Sequence, residues 1–248
     1  MEFTLITVTL NAEATLERTL CSVEQQTCRN FQHIIMDGVS SDGTLRIARD
    51  YARRNEGLAI EVVSEPDHGL YHAMNKALQR AAGDYVVFLN AGDKLHAPDT
   101  LERLSHCVAS RPAVVYGDTD IVDREGHFLR HRRLSAPERL GWRSFRQGML
   151  VCHQSFYVRR DLAPAYDLRY RFSADVDWCI RVLRAADERG ESLVNAHRVL
   201  TDYLQEGMTT RNHKASLRER FRIMAHHYGW PDTLALHAWF AIRALIKR

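Results

Sequence analysis

Acidic residues follow three apolar segments of the chain, at points where each segment gives way to a polar turn. These acids are Asp37, Glu65, Asp67 and Asp93. Ligands bind beyond the carboxyl ends of the strands in an open parallel sheet, so acids at these ends can meet one ligand. An acid after a second strand suits hydrogen bonding to a base or ribose, and an acid beside a glycine turn suits Mg²⁺ or Mn²⁺ on a diphosphate. Turns also favour Asp as a cap, which is our interpretation of Asp42.

The segments around these acids predict alternating strands and helices. The predicted strands are 3–8, 33–36, 59–63 and 85–89, and the predicted helices follow Asn11 and Asp42 as caps and occupy 71–81. This order predicts a parallel sheet with helices on both faces, a Rossmann-like α/β fold. The last of these strands is continuously apolar, which favours a central position in the sheet.

The pattern changes after Pro98. It predicts strands at 114–116, 126–129, 155–158 and 193–200, and helices at 174–186, 216–227 and 233–246. Two acids, Asp175 and Asp177, lie at the beginning of a predicted helix, where the helix dipole also favours acids on an exposed surface. The predicted domains are one α/β domain at 1–212, divided into a nucleotide half at 1–98 and an acceptor half at 99–212, and a helical extension at 213–248.

The composition narrows the class of protein. The 248 residues are 45% hydrophobic and 26% charged, and a net charge of +3 does not indicate nucleic-acid binding. Five scattered cysteines without a C-x-x-C pair argue against a disulfide framework or a zinc knuckle and fit a reducing cytosol. The N-terminus has no signal-peptide pattern and no segment reaches about 20 apolar residues, so we expect a cytoplasmic protein. The motifs of dinucleotide-binding dehydrogenases, P-loop NTPases, α/β hydrolases and zincins are missing.

Several short motifs occur in an order that resembles one enzyme family. They are ITVTLN at 6–11, SVEQQT at 22–27, DGVSSDGT at 37–44, EPDHGLY at 65–71, AMNK at 73–76, FLNAGD at 88–93, CHQS at 152–155 and ADVDW at 174–178. Over residues 3–210 the chain resembles family 2 glycosyltransferases with the GT-A fold. It is similar to the branch that builds bacterial surface polysaccharides and glycolipids, such as colanic-acid-type transferases. The resemblance implies a mixed, mainly parallel sheet and metal-dependent, inverting transfer from a nucleotide sugar to an acceptor hydroxyl.

The resemblance also implies roles for individual residues. Asp175 would be the catalytic base, supported by Asp177, and Asp93 would be the carboxylate of the D-x-D site that binds Mn²⁺ or Mg²⁺. Asp37 and Asp67 would contact the base and ribose. Residues expected around a UDP-, GDP- or dTDP-sugar are Thr9, Asn11, Asp37, Ser40, Glu65, Asp67, Asn75 near the phosphates, and Asn90. Residues expected on the acceptor side are His153, Gln154, Trp178, Arg132 and Arg133.

Two positions depart from the family pattern. Asn90 stands at the first position of the D-x-D motif and Gly92 at its middle, so Asp93 is the one carboxylate of that motif. Metal affinity should therefore depend heavily on the diphosphate of the donor. His72 also occupies a place where the family often has Asp.

A basic segment and an apolar C-terminus predict contacts beyond the donor. The arginines between residues 124 and 146 are either a solvated face or a grip for an anionic acceptor, such as a glycan or a lipid-linked diphosphate sugar. The stretch 234–248 is apolar with a basic end. It fits a helix lying on the inner face of a membrane, a helix packed on the domain, or a dimer interface.

Two other functions compete with transfer. The thinned D-x-D motif suits a catalytically silent scaffold of a glycan assembly complex. A nucleotidyltransferase uses a related sheet, but the segment TLNAE at 9–13 lacks the glycine- and lysine-rich loop expected there. The sequence does not specify the sugar, its base, the acceptor or the linkage, because these depend on the shape of loops.

Overall fold

The computed structural model describes residues 1–205 and 213–246. The first part of the chain alternates strands and helices: β1 (Phe3–Thr9), α1 (Leu16–Glu24), β2 (Phe31–Asp37), α2 (Thr44–Arg54), β3 (Ala59–Ser64), α3 (Leu70–Arg80) and β4 (Tyr85–Phe88). The second part has β5 (Lys94–Leu95), α4 (Thr100–Val108), β6 (Val114–Val122), β7 (Phe128–His131), β8 (Phe156–Arg159), α5 (Ala174–Glu188), β9 (Leu193–Leu204), α6 (His213–Tyr228) and α7 (Trp230–Ile246). Every predicted strand and helix corresponds to one of these elements.

One mixed sheet joins the two parts of the chain. Its order is β3-β2-β1-β4-β8-β6-β9-β5, and β7 pairs with β6. The strands β1 to β4 are mutually parallel, β8 runs antiparallel to β4 and β6, and β6 is parallel to β9. The predicted mixed, mainly parallel sheet is confirmed, and β4 is central as its apolar run predicted. The sheet includes strands from both predicted halves, and the predicted boundary at residue 212 lies outside the described residues.

Burial explains why the first strands are so apolar. All residues of β1, β2 and β4 are buried, because helices cover both faces of the sheet there. One apolar cluster includes Trp178 of α5 and Met74 of α3, and a second packs Leu101 and Leu104 of α4 on the sheet. The parallel strands consequently direct their carboxyl ends to one rim, where the polar turns begin.

The helix starts differ from both predicted caps. Gly43 is the N-cap of α2, and Asp42 lies one residue before it, where its Oδ1 accepts a hydrogen bond from Thr44 N at 3.0 Å. Asn11 does not cap α1, which begins at Leu16. Its backbone is left-handed, with φ of 50°, a conformation that Asn tolerates better than most residues. Asn11 therefore turns the chain at the rim instead of beginning a helix.

Two helices, α6 and α7, form the C-terminal part of the described chain. α6 packs against α5, and α7 packs on α6 and on a short 3₁₀ helix at Trp142–Gln147. None of the described helices combines the length and apolar character needed to cross a bilayer. The basic end of the C-terminal stretch, Lys247 and Arg248, lies outside the described residues.

Candidate active site

Asp37, the last residue of β2, is fully buried and ties three strand ends together. Its carboxylate accepts hydrogen bonds from Thr9 Oγ1 (3.3 Å), Ser64 Oγ (2.7 Å), and both N (3.1 Å) and Oγ (2.5 Å) of Ser40. A carboxylate has about four acceptor positions, so these four protein donors occupy it. In this structure Asp37, Thr9 and Ser40 order the rim. Their contact with a base or ribose stays a prediction.

The turn after β1 is fastened to the turn after β2. Asn11 Oδ1 accepts a hydrogen bond from Ser41 N at 2.9 Å, and Asn11 N donates to Ser40 Oγ at 2.8 Å. Val39, which directly precedes Ser40 in the turn after β2, has a φ of 63°, which is rare for a β-branched residue. Strained backbone of this kind is held by surrounding contacts and occurs often at binding sites.

Asp67 is partly exposed and lies beside the end of β2. Its Oδ1 accepts a hydrogen bond from Gly69 N at 2.7 Å. Its Oδ2 is so close to Gly38 that a Cβ atom at that glycine would lie 2.5 Å from it. Leu10 and Val39 are next to this point and remain 59% and 55% exposed. The arrangement is an open seat with two apolar side chains and one available carboxylate oxygen.

Two predicted donor contacts are instead used within the protein. Glu65 pairs with Lys76, with 3.0 Å between Oε1 and Nζ. Asn75 forms two hydrogen bonds with the backbone of Tyr166: its Nδ2 donates to the carbonyl at 3.0 Å and its Oδ1 accepts from N at 2.6 Å. The Asn75 amide thus joins α3 to the loop before α5, and its place near the donor phosphates stays a prediction.

Asp93, the predicted metal ligand, is enclosed. It is 4% exposed, its Oδ1 accepts a hydrogen bond from Leu204 N at 2.9 Å, and its Oδ2 accepts one from Gln154 Nε2 at 2.8 Å. Burial raises the pKa of Asp93 to about 6, although these hydrogen bonds act against the rise. Both Asp93 oxygens thus accept from the protein in this structure, and direct metal binding by Asp93 stays a prediction. Asp93 connects the turn after β4 to β9.

A row of polar side chains leads from that turn to α5. Asn90 Nδ2 donates to His153 Nε2 at 3.4 Å, His153 Nδ1 lies 3.4 Å from Asp175 Oδ2, and Tyr71 OH donates to Asp175 Oδ1 at 3.2 Å. The Asn90 amide can donate only to an unprotonated Nε2, so in this arrangement Nδ1 is the nitrogen that donates toward Asp175. Asn90 Oδ1 is buried without a hydrogen-bond partner among the described residues. The row brings together Asn90, His153 and Asp175, three residues that the sequence predicted for the site.

Asp175 carries the charge of this row. Burial acts to raise its pKa, but the hydrogen bond with His153, together with the charge of Arg220 on α6, brings the pKa below its usual value. The carboxylate is therefore ionised at neutral pH while its side chain is only 15% exposed. An ionised, shielded carboxylate can accept a proton from a hydroxyl group that reaches it.

Helix α6 fastens the segment that carries Asp175. Glu219 accepts hydrogen bonds from three consecutive backbone N–H groups, those of Arg171 (2.9 Å), Phe172 (2.7 Å) and Ser173 (3.0 Å). About two turns further along α6, His227 Nε2 lies 2.7 Å from Asp177 Oδ1, and both side chains are 3% exposed. Asp177, which also accepts from Arg181, thus supports the start of α5 through α6.

The residues predicted on the acceptor side lie in different environments. Gln154 is 1% exposed and binds Asp93, and Trp178 is fully buried, with Nε1 donating to the Pro164 carbonyl. Arg132 donates to the carbonyls of Met149 and Leu150, so it supports a loop. The polar groups of these three residues are used inside the protein, and their predicted contacts with an acceptor stay predictions. His153 borders Asp175, and Arg133 is exposed.

Four residues of this site were not selected from the sequence. Tyr71 lies within the EPDHGLY motif, so its position was a signal for its contact with Asp175. His72 accepts a hydrogen bond from His68 N at 3.1 Å and stacks on the His68 ring, which gives a reason for its presence. Glu219 and His227 carried no local signal, since Glu219 lies 46 to 48 residues and His227 lies 50 residues from their partners near α5.

Comparison with known proteins covers most of the chain. The sequence model described as Glycosyl transferase family 2 matches residues 4–164. A PGL/p-HBAD biosynthesis glycosyltransferase of Mycobacterium bovis is 36% identical over 184 residues, which are 72% of this chain and 68% of that protein.

Solved structures share the fold at low sequence identity. S. aureus TarS residues 1–349, in complex with UDP, gives a TM-score of 0.69 at 17% identity and covers 91% of this chain and 64% of that chain. The mannosyltransferase PcManGT of Pyrobaculum calidifontis, in complex with GDP-Man and Mn²⁺, gives 0.59 at 20% identity over 97% of this chain and 75% of that chain. These similarities establish the GT-A fold.

Proposed function

This chain belongs to glycosyl transferase family 2, and we propose that it transfers a sugar from a nucleoside-diphosphate donor to a hydroxyl group of a glycan or lipid-linked acceptor. The observation that carries the proposal is the ionised Asp175, which Tyr71 and His153 hold at the inner end of the polar row. The row continues through Asn90 to the rim formed by the parallel strands. Donor and acceptor would meet along it.

The open seat around Asp67 supports recognition of the donor base. The exposed side chains of Leu10 and Val39 offer apolar contact to a flat ring, and Asp67 Oδ2 offers an acceptor at its edge. A carboxylate accepts a hydrogen bond, so it favours bases with a ring N–H, namely uracil, thymine and guanine. The seat therefore suits UDP-, dTDP- or GDP-sugars. The mannosyltransferase and TarS complexes contain GDP-Man and UDP, respectively.

Asp175 would act as the catalytic base. A hydroxyl group is a weak nucleophile, and a positioned carboxylate that takes its proton in the transition state contributes about 10²–10⁴-fold to the rate. Tyr71 and His153 would hold the carboxylate in one orientation, and the N-terminal end of α5 favours its negative charge. Attack by the activated hydroxyl opposite the leaving diphosphate would invert the configuration of the sugar carbon.

The site offers a divalent cation one side-chain oxygen that has no hydrogen-bond partner among the described residues, Oδ1 of Asn90. Asn90 Oδ1 is buried without a partner among the described residues, whereas both Asp93 oxygens are occupied. We assign Asn90 Oδ1 to Mn²⁺ or Mg²⁺, with the donor diphosphate supplying further oxygen ligands. When bound, the cation would neutralise charge on the leaving diphosphate.

Helix α7 and the groove beside it offer a surface for contact with a membrane and a lipid-linked acceptor. Arg143 and Arg146 border a groove next to α7, and α7 leaves Trp230, Leu234 and Trp239 more than half exposed. Exposed tryptophans beside arginines suit the headgroup region of an anionic membrane. We propose that α7 docks there, which would bring a lipid-linked acceptor close to the site.

A nucleotide panel followed by turnover tests the function. We expect UDP, GDP or dTDP with Mn²⁺ or Mg²⁺ to raise the melting temperature, since a ligand at a hundredfold excess over its Kd stabilises by about 2.7 kcal/mol. The Asp175→Asn variant should keep that shift and lose turnover by about 10²–10⁴-fold. Asp187→Asn, at the other end of α5, is the matched control and should keep turnover. Nucleotide binding without donor turnover in the wild type would favour the silent scaffold instead.

A further inference from the structure

A second polar cluster lies on the opposite face of the sheet from the row described above. It is formed by His96, just after β5, Asp120 on β6 and Asp202 on β9. Thr201 Oγ1 donates to the Gln154 carbonyl on the active-site face. Neighbouring residues of a strand point to opposite faces, so Asp202 points away from Gln154.

The two carboxylates of this cluster are adjacent and nearly buried. Asp120 and Asp202 are paired in register across the parallel strands β6 and β9, and they are 6% and 5% exposed. His96 Nδ1 lies 2.6 Å from Asp202 Oδ1. One ligand atom from each of the three residues lies within 4.8 Å of the other two. Two close, desolvated carboxylates require positive charge between or beside them.

Further side chains hold these carboxylates from outside. His131 Nδ1, on β7, lies 2.8 Å from Asp120 Oδ1, and Lys94 Nζ lies 3.0 Å from Asp202 Oδ2. Carboxylates that bind metals are commonly hydrogen-bonded in this way by outer groups. The side chain of His96 is 41% exposed, so the cluster is open to solvent on that side. A plain network of ion pairs, in which Lys94 and protonated imidazoles balance the two acids, is the competing explanation.

We propose that His96, Asp120 and Asp202 form a structural binding site for a divalent transition metal such as Zn²⁺. One imidazole and two carboxylates, with a position left for water, suit Zn²⁺ or Co²⁺ better than Mg²⁺, which prefers oxygen ligands alone. The bound ion would join the end of β5 to β6 and β9. Since β5 directly follows Asp93, it would also brace the turn after β4 from behind. This site is independent of the donor cation.

Metal titration of the full, untagged chain tests the site. The chelator-treated protein, without nucleotide, is titrated with Zn²⁺ by calorimetry and with Co²⁺ by visible absorption. We expect one equivalent of metal to bind more tightly than all later ones. The Co²⁺ spectrum should show the intense visible bands of a Co²⁺ ion with fewer than six ligands. His96→Ala and Asp202→Asn should each weaken this first equivalent by at least about tenfold. An excess of Mg²⁺ should not displace it.

A matched variant separates the site from adventitious binding to surface histidines. His127 belongs to a second, exposed group with Asp123 and Glu125 in the β6–β7 turn. His127→Ala should leave the first equivalent unchanged. Because the His96 side chain is half-exposed, His96→Ala should fold as the wild type does, which circular dichroism checks. Equal Zn²⁺ affinity in wild type and His96→Ala, or no equivalent tighter than the rest, would overturn the proposal in favour of the ion-pair network.

Discussion

Asp37 and Asp67 follow neighbouring strands, but their surroundings give them different tasks. The Asp37 carboxylate is fully buried and accepts four hydrogen bonds from the protein, while Asp67 is partly exposed and has one oxygen directed at the open seat. The number of protein donors around each carboxylate decides which of them can serve a ligand. We therefore assign stability to Asp37 and base recognition to Asp67.

Substitution of the two acids by Asn should separate these tasks. Asp67→Asn should weaken binding of the preferred nucleoside diphosphate by about tenfold or more, because a hydrogen bond to a charged group contributes about 1.5–3 kcal/mol. Asp37→Asn should lower the free energy of unfolding by about 1–3 kcal/mol, because buried donors lose their acceptor. Calorimetric binding and denaturant unfolding measure the two quantities. Weaker binding with unchanged stability in Asp37→Asn would contradict the assignment.

The buried Asp93 should make stability depend on pH. Its pKa of about 6 in the folded protein exceeds the ordinary value of 3.8, so the folded state binds this proton more tightly than the unfolded chain. The resulting stabilisation is complete below pH 4 and is lost as pH rises through 6. Relative to Asp93→Asn, the wild type should lose about 2 kcal/mol of unfolding free energy between pH 4 and pH 7. If the unfolding free energies of the two proteins change with pH in parallel, Asp93 is not desolvated.

Among the secondary-structure elements, helix α6 positions the start of α5, which carries Asp175. Glu219 accepts from three backbone N–H groups just before α5, and His227 meets Asp177 within its first turn. These three N–H groups lie before the first residue of α5, so no helical carbonyl accepts from them and Glu219 supplies their acceptor. The orientation of Asp175 therefore depends on a helix that is distant in sequence.

Loss of the Glu219 carboxylate should impair turnover more than donor binding. We expect Glu219→Ala to lower kcat by about tenfold or more, since unsatisfied backbone groups cost about 1–3 kcal/mol each and free the segment before α5. Donor affinity should change little, and amide exchange at residues 171–173 should accelerate. Glu219→Gln should restore part of kcat, and Glu188→Ala, at the exposed end of α5, is the control. Equal loss of donor affinity and kcat would indicate general destabilisation instead.

Membrane contact is a property of the whole molecule, because it depends on which surfaces remain uncovered. Replacing Trp230, Leu234 and Trp239 together by Ser should abolish flotation of the full chain with anionic liposomes, and salt should weaken flotation of the wild type. Leu129→Ser, an exposed apolar residue on β7, should float as the wild type does. If neither protein floats and the triple variant is instead monomeric where the wild type is dimeric, α7 is a dimer interface.

The sequence alone determined the order of elements and the family. Apolar segments such as 85–89 predicted strands because residues buried on both faces must be apolar along their whole length. The polar residues after each strand marked the rim, since strands of a parallel sheet end on the same side. It also pointed to Asp175, whose neighbours at the helix start form a recognisable motif. These signals are local, so they can be seen without the fold.

Only the tertiary structure decided which polar groups are free to act. Asp93, Asn75 and Gln154 lie in motifs of the expected site, yet each is used by partners that are 61 to 111 residues away. Burial and hydrogen-bond partners depend on chain segments that meet only in the folded state, so local spacing cannot reveal them. The same holds for Glu219 beside α5 and for the pairing of Asp120 with Asp202. Their roles follow from the packing of helices and the register of strands.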